Sequence, residues 1–146
     1  MAFSFSRMVA GIAMTAALAG CSEPAPATRP QGSLSAGTAE VTIDGVKMDA
    51  THDVRCTSGG AVTTIVTGDE ERGTTSAVDT GEGSVVQFAQ IRDLAGFTGS
   101  YWADLNPRAD VEMAGQTFVV NGTAEGFRES NPSARISQSF SIRVAC

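Results

Sequence analysis

The stretch that decides the fold is residues 136–146, Ile136-Ser137-Gln138-Ser139-Phe140-Ser141-Ile142-Arg143-Val144-Ala145-Cys146. Five apolar side chains and Gln138 alternate with serine, arginine and alanine, so every second residue falls on the same side of an extended chain. This period of two is typical of an antiparallel strand with one face against a core and one face toward water. The sequence therefore predicts a half-buried strand at the end of the chain, with Cys146 on its inner face.

The preceding hundred residues show the same kind of pattern in shorter pieces. Asp44-Gly45 lies between Val41-Thr42-Ile43 and Val46-Lys47-Met48, which is a strong hairpin signal. About eight short strands with turn residues every eight to twelve positions predict a mainly β fold. We expect a small antiparallel β-sandwich or a partly closed sheet, with at most one short helix, at 91–95 or 126–131, and a long loop at Glu125–Ser133.

Composition and charge agree with a small exported domain. The chain has 146 residues, few aromatics and a formal net charge of −6. Its excess of acidic side chains argues against nucleic acid as a partner, and against attraction to anionic headgroups by charge. Residues 40–146 are enough for one modest hydrophobic core.

The amino-terminal segment has the form of a lipoprotein signal. Met8–Ala19 is apolar but too short to span a bilayer, and it ends in Leu18-Ala19-Gly20-Cys21. Bacterial lipoprotein precursors carry small residues before a cysteine at this point, and the cysteine then receives diacylglycerol and an N-acyl chain. We predict a signal peptide at 1–20 and a lipid-anchored protein on the outer face of the cell membrane, with no other cofactor. The alternative is an ordinary secretory signal whose cysteine is incidental.

Residues 21–39 are predicted to be a flexible, acylated tether. Prolines and glycines punctuate this stretch and no apolar periodicity appears in it. A flexible chain of this length has a relaxed reach of roughly 23 Å, which would hold the domain just clear of the membrane. Four hydroxyl residues are candidate O-glycosylation sites: Thr28, Ser33, Ser35 and Thr38. The alternative is a bare linker without sugars.

The two remaining cysteines, Cys56 and Cys146, are an even number in an exported chain, and we predict that they form a disulfide. By chain-entropy reasoning, a loop of this size contributes roughly 4–5 kcal/mol to stability. Two free buried thiols are the alternative.

The densest aromatic group is Phe97, Tyr101 and Trp102. Phe97 and Tyr101 share one face of a predicted strand at Phe97–Leu105, and Trp102 lies on the other face. One face is expected to join the core, and the other is a candidate binding patch, because tryptophan combines a large apolar body with a polar edge. The alternative is that these side chains only cover the sheet and bind no ligand.

No residue set predicts catalysis or a metal site. His52 is the only histidine, and no nucleophile motif accompanies it. The Asp69-Glu70-Glu71 run lacks the alternation of a calcium loop, and both remaining cysteines are assigned, which leaves too few ligands for zinc. An envelope hydrolase using Asp104, Asp110 or the Asp69–Glu71 run is the distant alternative.

Several of these pieces, in this order, resemble the mycobacterial lipoprotein antigen family of the LpqH type, the nineteen-kilodalton antigen. The resemblance covers the lipobox and nearly all of residues 41–146, through Val41-Thr42-Ile43-Asp44-Gly45, Val54-Arg55-Cys56-Thr57, Gly122-Thr123-Ala124-Glu125-Gly126, Asn131-Pro132 and the final strand. It implies acylation at Cys21, a Cys56–Cys146 disulfide and a surface antigen that a host Toll-like receptor recognises through its acyl chains. It supplies no catalytic residues. Two features depart from the family: the tether has fewer threonines, and the Asp69–Arg72 loop carries more charge. Such departures are typical of a divergent paralogue.

The function predicted from the sequence is therefore that of an acylated, non-enzymatic cell-envelope lipoprotein with a small β-rich binding or interaction domain. Its expected partners are the membrane, through the lipid, and a host receptor or an envelope protein. The main alternative is an envelope carrier of a small apolar ligand, and a structural or adhesive surface protein is another.

Overall fold

Residues 28–146 form one antiparallel β domain in the computed structural model, which describes this part of the chain. The predicted signal peptide and Cys21 lie outside the described residues. No helix occurs in residues 28–146, so none there is long and apolar enough to cross a membrane. The ten strands are β1 (Thr38–Ile43), β2 (Val46–Lys47), β3 (Val54–Gly59), β4 (Val62–Gly68), β5 (Gly73–Asp79), β6 (Val85–Leu94), β7 (Phe97–Trp102), β8 (Asp110–Ala114), β9 (Thr117–Arg128) and β10 (Asn131–Ala145).

All ten strands belong to one sheet. The order across it is β2-β1-β10-β9-β7-β6-β5-β4-β3, and β8 also pairs with β9. One edge of β9 is shared, because its first half pairs with β8 and its second half pairs with β7. This confirms the predicted mainly β, antiparallel fold, in the form of a sheet that does not close.

The final strand is half-buried in the interior of the sheet, as its alternation predicts. Phe140, Ile142 and Val144 are buried on its inner face, and β10 pairs with β1 on one side and β9 on the other. The Asp44-Gly45 hairpin is also confirmed. Both turn residues have positive φ, at 49° and 78°, which is the backbone conformation of a type I′ turn.

One local prediction is wrong, and the optional short helix does not occur in the described residues. The stretch Glu125–Ser133 is not a long loop: β9 continues to Arg128 and β10 begins at Asn131, joined by a two-residue turn at 129–130. The two stretches offered as helix candidates, 91–95 and 126–131, also lie in strands and turns. Cross-strand pairing across these polar and glycine-containing residues overrides their weak local strand preference.

One hydrophobic core lies between the inner faces of the strands. Phe97, Tyr101 and Phe140 supply its aromatic side chains, and the Tyr101 and Phe140 rings lie 6.4 Å apart between centroids. A Cβ on Gly126 would lie 2.0 Å from the Thr98 carbonyl oxygen. A glycine at this position therefore lets β7 and β9 approach each other closely.

The predicted disulfide joins opposite parts of the sheet. Cys56 in the edge strand β3 is bonded to Cys146, the residue after β10, with Cα atoms 5.9 Å apart. The residues before β3 are joined to β1 as well, because Ala39 and Thr51 form an isolated antiparallel bridge. The sheet is thus curled so that β3 comes back toward the β1–β10 pair.

β1 begins at Thr38, two residues before the predicted start of the domain at residue 40. Before it, residues 29–37 run along the outer face of the sheet and make several hydrogen bonds to it. We call this segment the strap.

Candidate functional site

The three aromatic residues selected from the sequence do not form one patch. Phe97 and Tyr101 are buried in the core, whereas Trp102 points outward and keeps 41% of its surface exposed. Successive residues of a strand point to opposite faces, which separates Trp102 from the other two. The Tyr101 hydroxyl accepts a hydrogen bond from the Ala109 N–H at 3.1 Å, so its polar end holds the loop after β7 in place.

Trp102 has a different aromatic partner, Phe88, on the outer face of the sheet. The two residues are directly opposite in the β6–β7 register, and their rings stack with centroids 5.1 Å apart. The Trp102 indole N–H donates to the Ser100 hydroxyl at 3.2 Å. Stacking and this hydrogen bond together fix the orientation of the indole ring.

Leu105 lies at the surface in the turn that follows Trp102. It is 82% exposed, yet it lies in a tight turn: the Leu105 and Asn106 N–H groups both donate to the Trp102 carbonyl at 3.0 Å. The Asn106 side-chain oxygen in turn accepts from the Trp102 N–H at 2.8 Å. An exposed apolar side chain is thereby presented in an ordered conformation. We call Phe88, Trp102 and Leu105 the aromatic patch.

The aromatic patch ends a row of side chains that crosses five strands. Register places the row on the outer face, in the order Thr57, Thr64, Ala77, Phe88 and Trp102. The hydroxyl residues stand at the β3 side and the aromatic residues at the β7 side. The row carries no charged side chain and is apolar at one end, and Ala77 within it is buried.

Sequence reasoning identified Trp102 but missed Phe88 and Leu105. Phe88 follows a register shift between β5 and β6 at Ala77/Val78, so a simple period of two counted from Val86 assigns it to the inner face. Leu105 was assigned to the end of a strand, which in fact ends at Trp102. The Asn106-Pro107 pair was the available signal for the turn.

The acidic run at residues 69–71 serves the loop that contains it. The Asp69 carboxylate accepts backbone hydrogen bonds from Arg72 at 2.7 Å and from Glu71 at 2.9 Å. These two N–H donors, with smaller effects from nearby arginines, hold the pKa of Asp69 below its usual value. Arg72 is also paired with Asp93 at 3.0 Å. The carboxylate is therefore used as a turn acceptor.

The remaining chemical candidates are dispersed. His52 is exposed, and its Nδ1 lies 3.3 Å from the Thr38 hydroxyl. Asp104 and Asp110 are both exposed. Across residues 28–146 no three histidine, cysteine, aspartate or glutamate side chains are grouped so as to hold a metal ion.

The four candidate glycosylation hydroxyls differ in accessibility. Thr28 is exposed, whereas Thr38 is buried in β1. The Ser33 hydroxyl donates to the Pro30 carbonyl at 2.7 Å, and the Ser35 hydroxyl accepts from Arg29 at 2.8 Å. Of the four, Thr28 has the surroundings most compatible with an attached sugar.

The described concave sites are open grooves at the surface. One runs beside the start of β3, between His52–Arg55 and Gly68–Glu70, and has a volume of about 450 Å³. A second, of about 310 Å³, lies between the strap and the β8–β9 turn and is lined mainly by apolar atoms. Together these features define a class, namely a small antiparallel β domain with one disulfide and open grooves at its surface.

Comparison with known proteins gives the family. Residues 32–146 match the sequence profile of the Mycobacterium 19 kDa lipoprotein antigen, and the chain belongs to this family. A lipoprotein of Mycobacterium indicus pranii is 34% identical over 141 residues, which cover 95% of this chain and 96% of the relative. The lipoprotein LppE of Mycobacterium tuberculosis is 28% identical over 94% of this chain and 95% of its own length. LpqH of Mycobacterium avium is 28% identical over 77% of this chain and 70% of its own length.

These identities are consistent with a divergent paralogue in the lipoprotein antigen family. Membership supports an antigen-like role and an exported, envelope-associated location. The disulfide agrees with what the resemblance of the sequence implied.

Proposed function

We propose that this chain is an acylated lipoprotein, anchored through Cys21 at the outer face of the cell membrane, whose β domain is a non-enzymatic interaction module. Family membership across residues 32–146 carries the proposal. The lipobox at residues 18–21 supplies the attachment point. Two acyl chains on one cysteine anchor a protein stably, whereas one chain is marginal.

The interaction surface in this proposal is the aromatic patch. Interfaces derive much of their binding energy from a few aromatic and apolar anchors that lose water when the partner binds. Trp102 and Leu105 are exposed side chains of this kind; a hydrogen bond holds the Trp102 indole, and the backbone N–H of Leu105 is bonded in the turn before any partner arrives. Such preorganisation lowers the entropy lost on association. The partner is an envelope protein or a host receptor.

The carrier hypothesis has weaker support. Phe97, Tyr101 and Phe140 occupy the interior between the strands, and the described grooves are open to solvent. The hydrolase hypothesis has no favouring observation, since Asp69 is engaged by backbone N–H groups and Asp104 and Asp110 are exposed on the surface.

Two experiments test the proposal. Cys21→Ala should move the protein from the membrane fraction to the soluble fraction, and continued membrane association of this variant would contradict the anchor. A photoreactive residue at Leu105 should give a discrete crosslinked adduct on intact cells, and Trp102→Ala should remove it. The same reagent at Ser130, an exposed turn residue, is the control; equal adducts at both positions, or none at Leu105, would contradict the assigned surface.

A further inference from the structure

The strap is attached to the sheet at three points, although the sequence predicts a flexible tether there. The Leu34 N–H donates to the Thr117 hydroxyl at 2.9 Å, and the Gly37 N–H donates to the Ala145 carbonyl at 2.8 Å. The Arg143 guanidinium donates to the Gly32 carbonyl and also to the Glu40 carboxylate at 2.9 Å. The strap is thereby held by β9 and β10.

Burial shows that this contact is part of the fold. Thr117 and Ala145 are opposite each other in the β9–β10 register and lie on the outer face, where side chains usually meet water. Their exposed fractions are 0% and 2%. The neighbouring Gly115 lies so close to the strap that an added Cβ would be 3.2 Å from Pro30 Cγ. The strap therefore covers this end of the outer face.

The docked strap shortens the connection to the proposed anchor. Cys21 and Pro30 are nine residues apart, so their Cα atoms are separated by at most about 30 Å whatever the path of the chain between them. Pro30 lies against the β8–β9 turn. The proposed anchor at Cys21 would therefore keep this turn, Gly115-Gln116, close to the membrane surface.

The opposite end of the domain lies far from the strap. β9 runs from Thr117 to Arg128 without interruption, a length of about 37 Å at the usual rise per residue. The two turns that flank β9 thus lie at opposite ends of the domain. Met113, which is 51% exposed in β8, adds an apolar side chain at the strap end.

We propose that the strap fixes the orientation of the domain, with the β8–β9 turn and Met113 facing the lipid surface and the β9–β10 turn facing away from it. In this proposal the surface that the strap end of the domain contacts is the lipid bilayer. This inference rests on the proposed anchoring at Cys21. It adds that the domain is not a freely rotating module on a long tether.

The test compares two probes on the same strand. A fluorophore is attached to Gln116→Cys or to Ser130→Cys in the acylated full-length chain, bound to phosphatidylcholine vesicles with a nitroxide quencher on the headgroup. Both positions are exposed residues in two-residue hairpin turns, which makes them a matched pair. We expect loss of fluorescence at position 116 and little loss at position 130. Equal quenching at the two positions would overturn the proposal.

A variant with weakened strap contacts tests whether the strap causes the difference in quenching between positions 116 and 130. Thr117→Val removes the acceptor for the Leu34 N–H, and Arg143→Gln weakens the hydrogen bond to the Gly32 carbonyl. The intact Cys56–Cys146 bond and the fluorescence of Trp102 show that the double variant remains folded. The double variant should lose the difference between the two probes, and a retained difference would overturn the role of the strap. Failure of the anchor is distinguishable, because the protein would then not sediment with the vesicles, a result that overturns both proposals.

Discussion

At the scale of single residues, Ser76 is out of place in the core. It is fully buried on β5, and its hydroxyl has no hydrogen-bond partner. The nearby Thr67 and Thr74 hydroxyls satisfy each other at 2.8 Å. A buried polar group without a partner destabilises a fold, whereas a paired group contributes modestly to stability.

We therefore predict that Ser76→Ala raises the free energy of unfolding by about 1 kcal/mol. Thr74→Val is the matched comparison, since it removes a paired hydroxyl of similar burial, and should lower this free energy by a similar amount. Urea unfolding of both variants measures the two changes. A loss of stability in Ser76→Ala would contradict the assignment of an unsatisfied hydroxyl.

Asp69 gives a prediction about pH. Its pKa is lowered in the folded chain by the Arg72 and Glu71 N–H donors, so the ionised form contributes stability above the ordinary pKa of 3.8. This contribution is lost as the pH falls through the lower folded value. NMR titration of the Asp69 carboxyl should show a midpoint below 3.8 in the folded chain, and a midpoint at or above that value would contradict the turn geometry.

Individual residues also show where sequence reasoning stops. The opposite directions of Tyr101 and Trp102 follow from strand geometry and could be predicted. Phe88 could not, because its direction depends on a register shift between β5 and β6. Register shifts arise from pairing with a neighbouring strand, which a single segment does not reveal.

At the scale of elements, the close approach of β7 and β9 depends on the facing pair Gly99 and Gly126. A Cβ at Gly126 would meet the backbone of Thr98 and Gly99, at 2.0 Å and 2.5 Å, and backbone cannot swing aside as a side chain can. We predict that Gly126→Ala lowers the free energy of unfolding by about 2 kcal/mol or more.

Gly59→Ala is the control for this prediction. Gly59 also lies in a strand, but an added Cβ there would have no neighbour within 4 Å. Thermal unfolding should show little change for Gly59→Ala and a clear decrease for Gly126→Ala. Similar effects of the two substitutions would show that steric crowding is not the cause.

Elements with regular alternation were predictable, whereas those set by distant partners were not. β10 was identified from its own residues. The continuation of β9 through Glu125–Arg128 depends on pairing with β7 and β10. The strap has no apolar periodicity, and its contacts join residues 83 and 111 positions apart. A proline-containing segment of this kind looks like a linker until the surface it covers is known.

At the scale of the whole molecule, the Cys56–Cys146 bond spans 90 residues and connects the edge strand β3 to the end of β10. Removing the bond increases the conformational entropy of the unfolded chain, which lowers the free energy of unfolding by roughly 4–5 kcal/mol. We predict that Cys56→Ala/Cys146→Ala lowers the melting temperature by about 20 °C. Calorimetry measures this change, and an unchanged melting temperature would contradict a stabilising role for the bond.

The central claim about the whole molecule is that an acylated cysteine anchors a disulfide-bonded β domain. The most direct test is the intact mass of the protein extracted from its native membranes, measured with and without reduction. We predict the mass of residues 21–146 plus diacylglycerol and an N-acyl chain, increasing by the mass of two hydrogens on reduction. A mass without acyl groups would contradict the anchor, and a mass unchanged by reduction would contradict the disulfide.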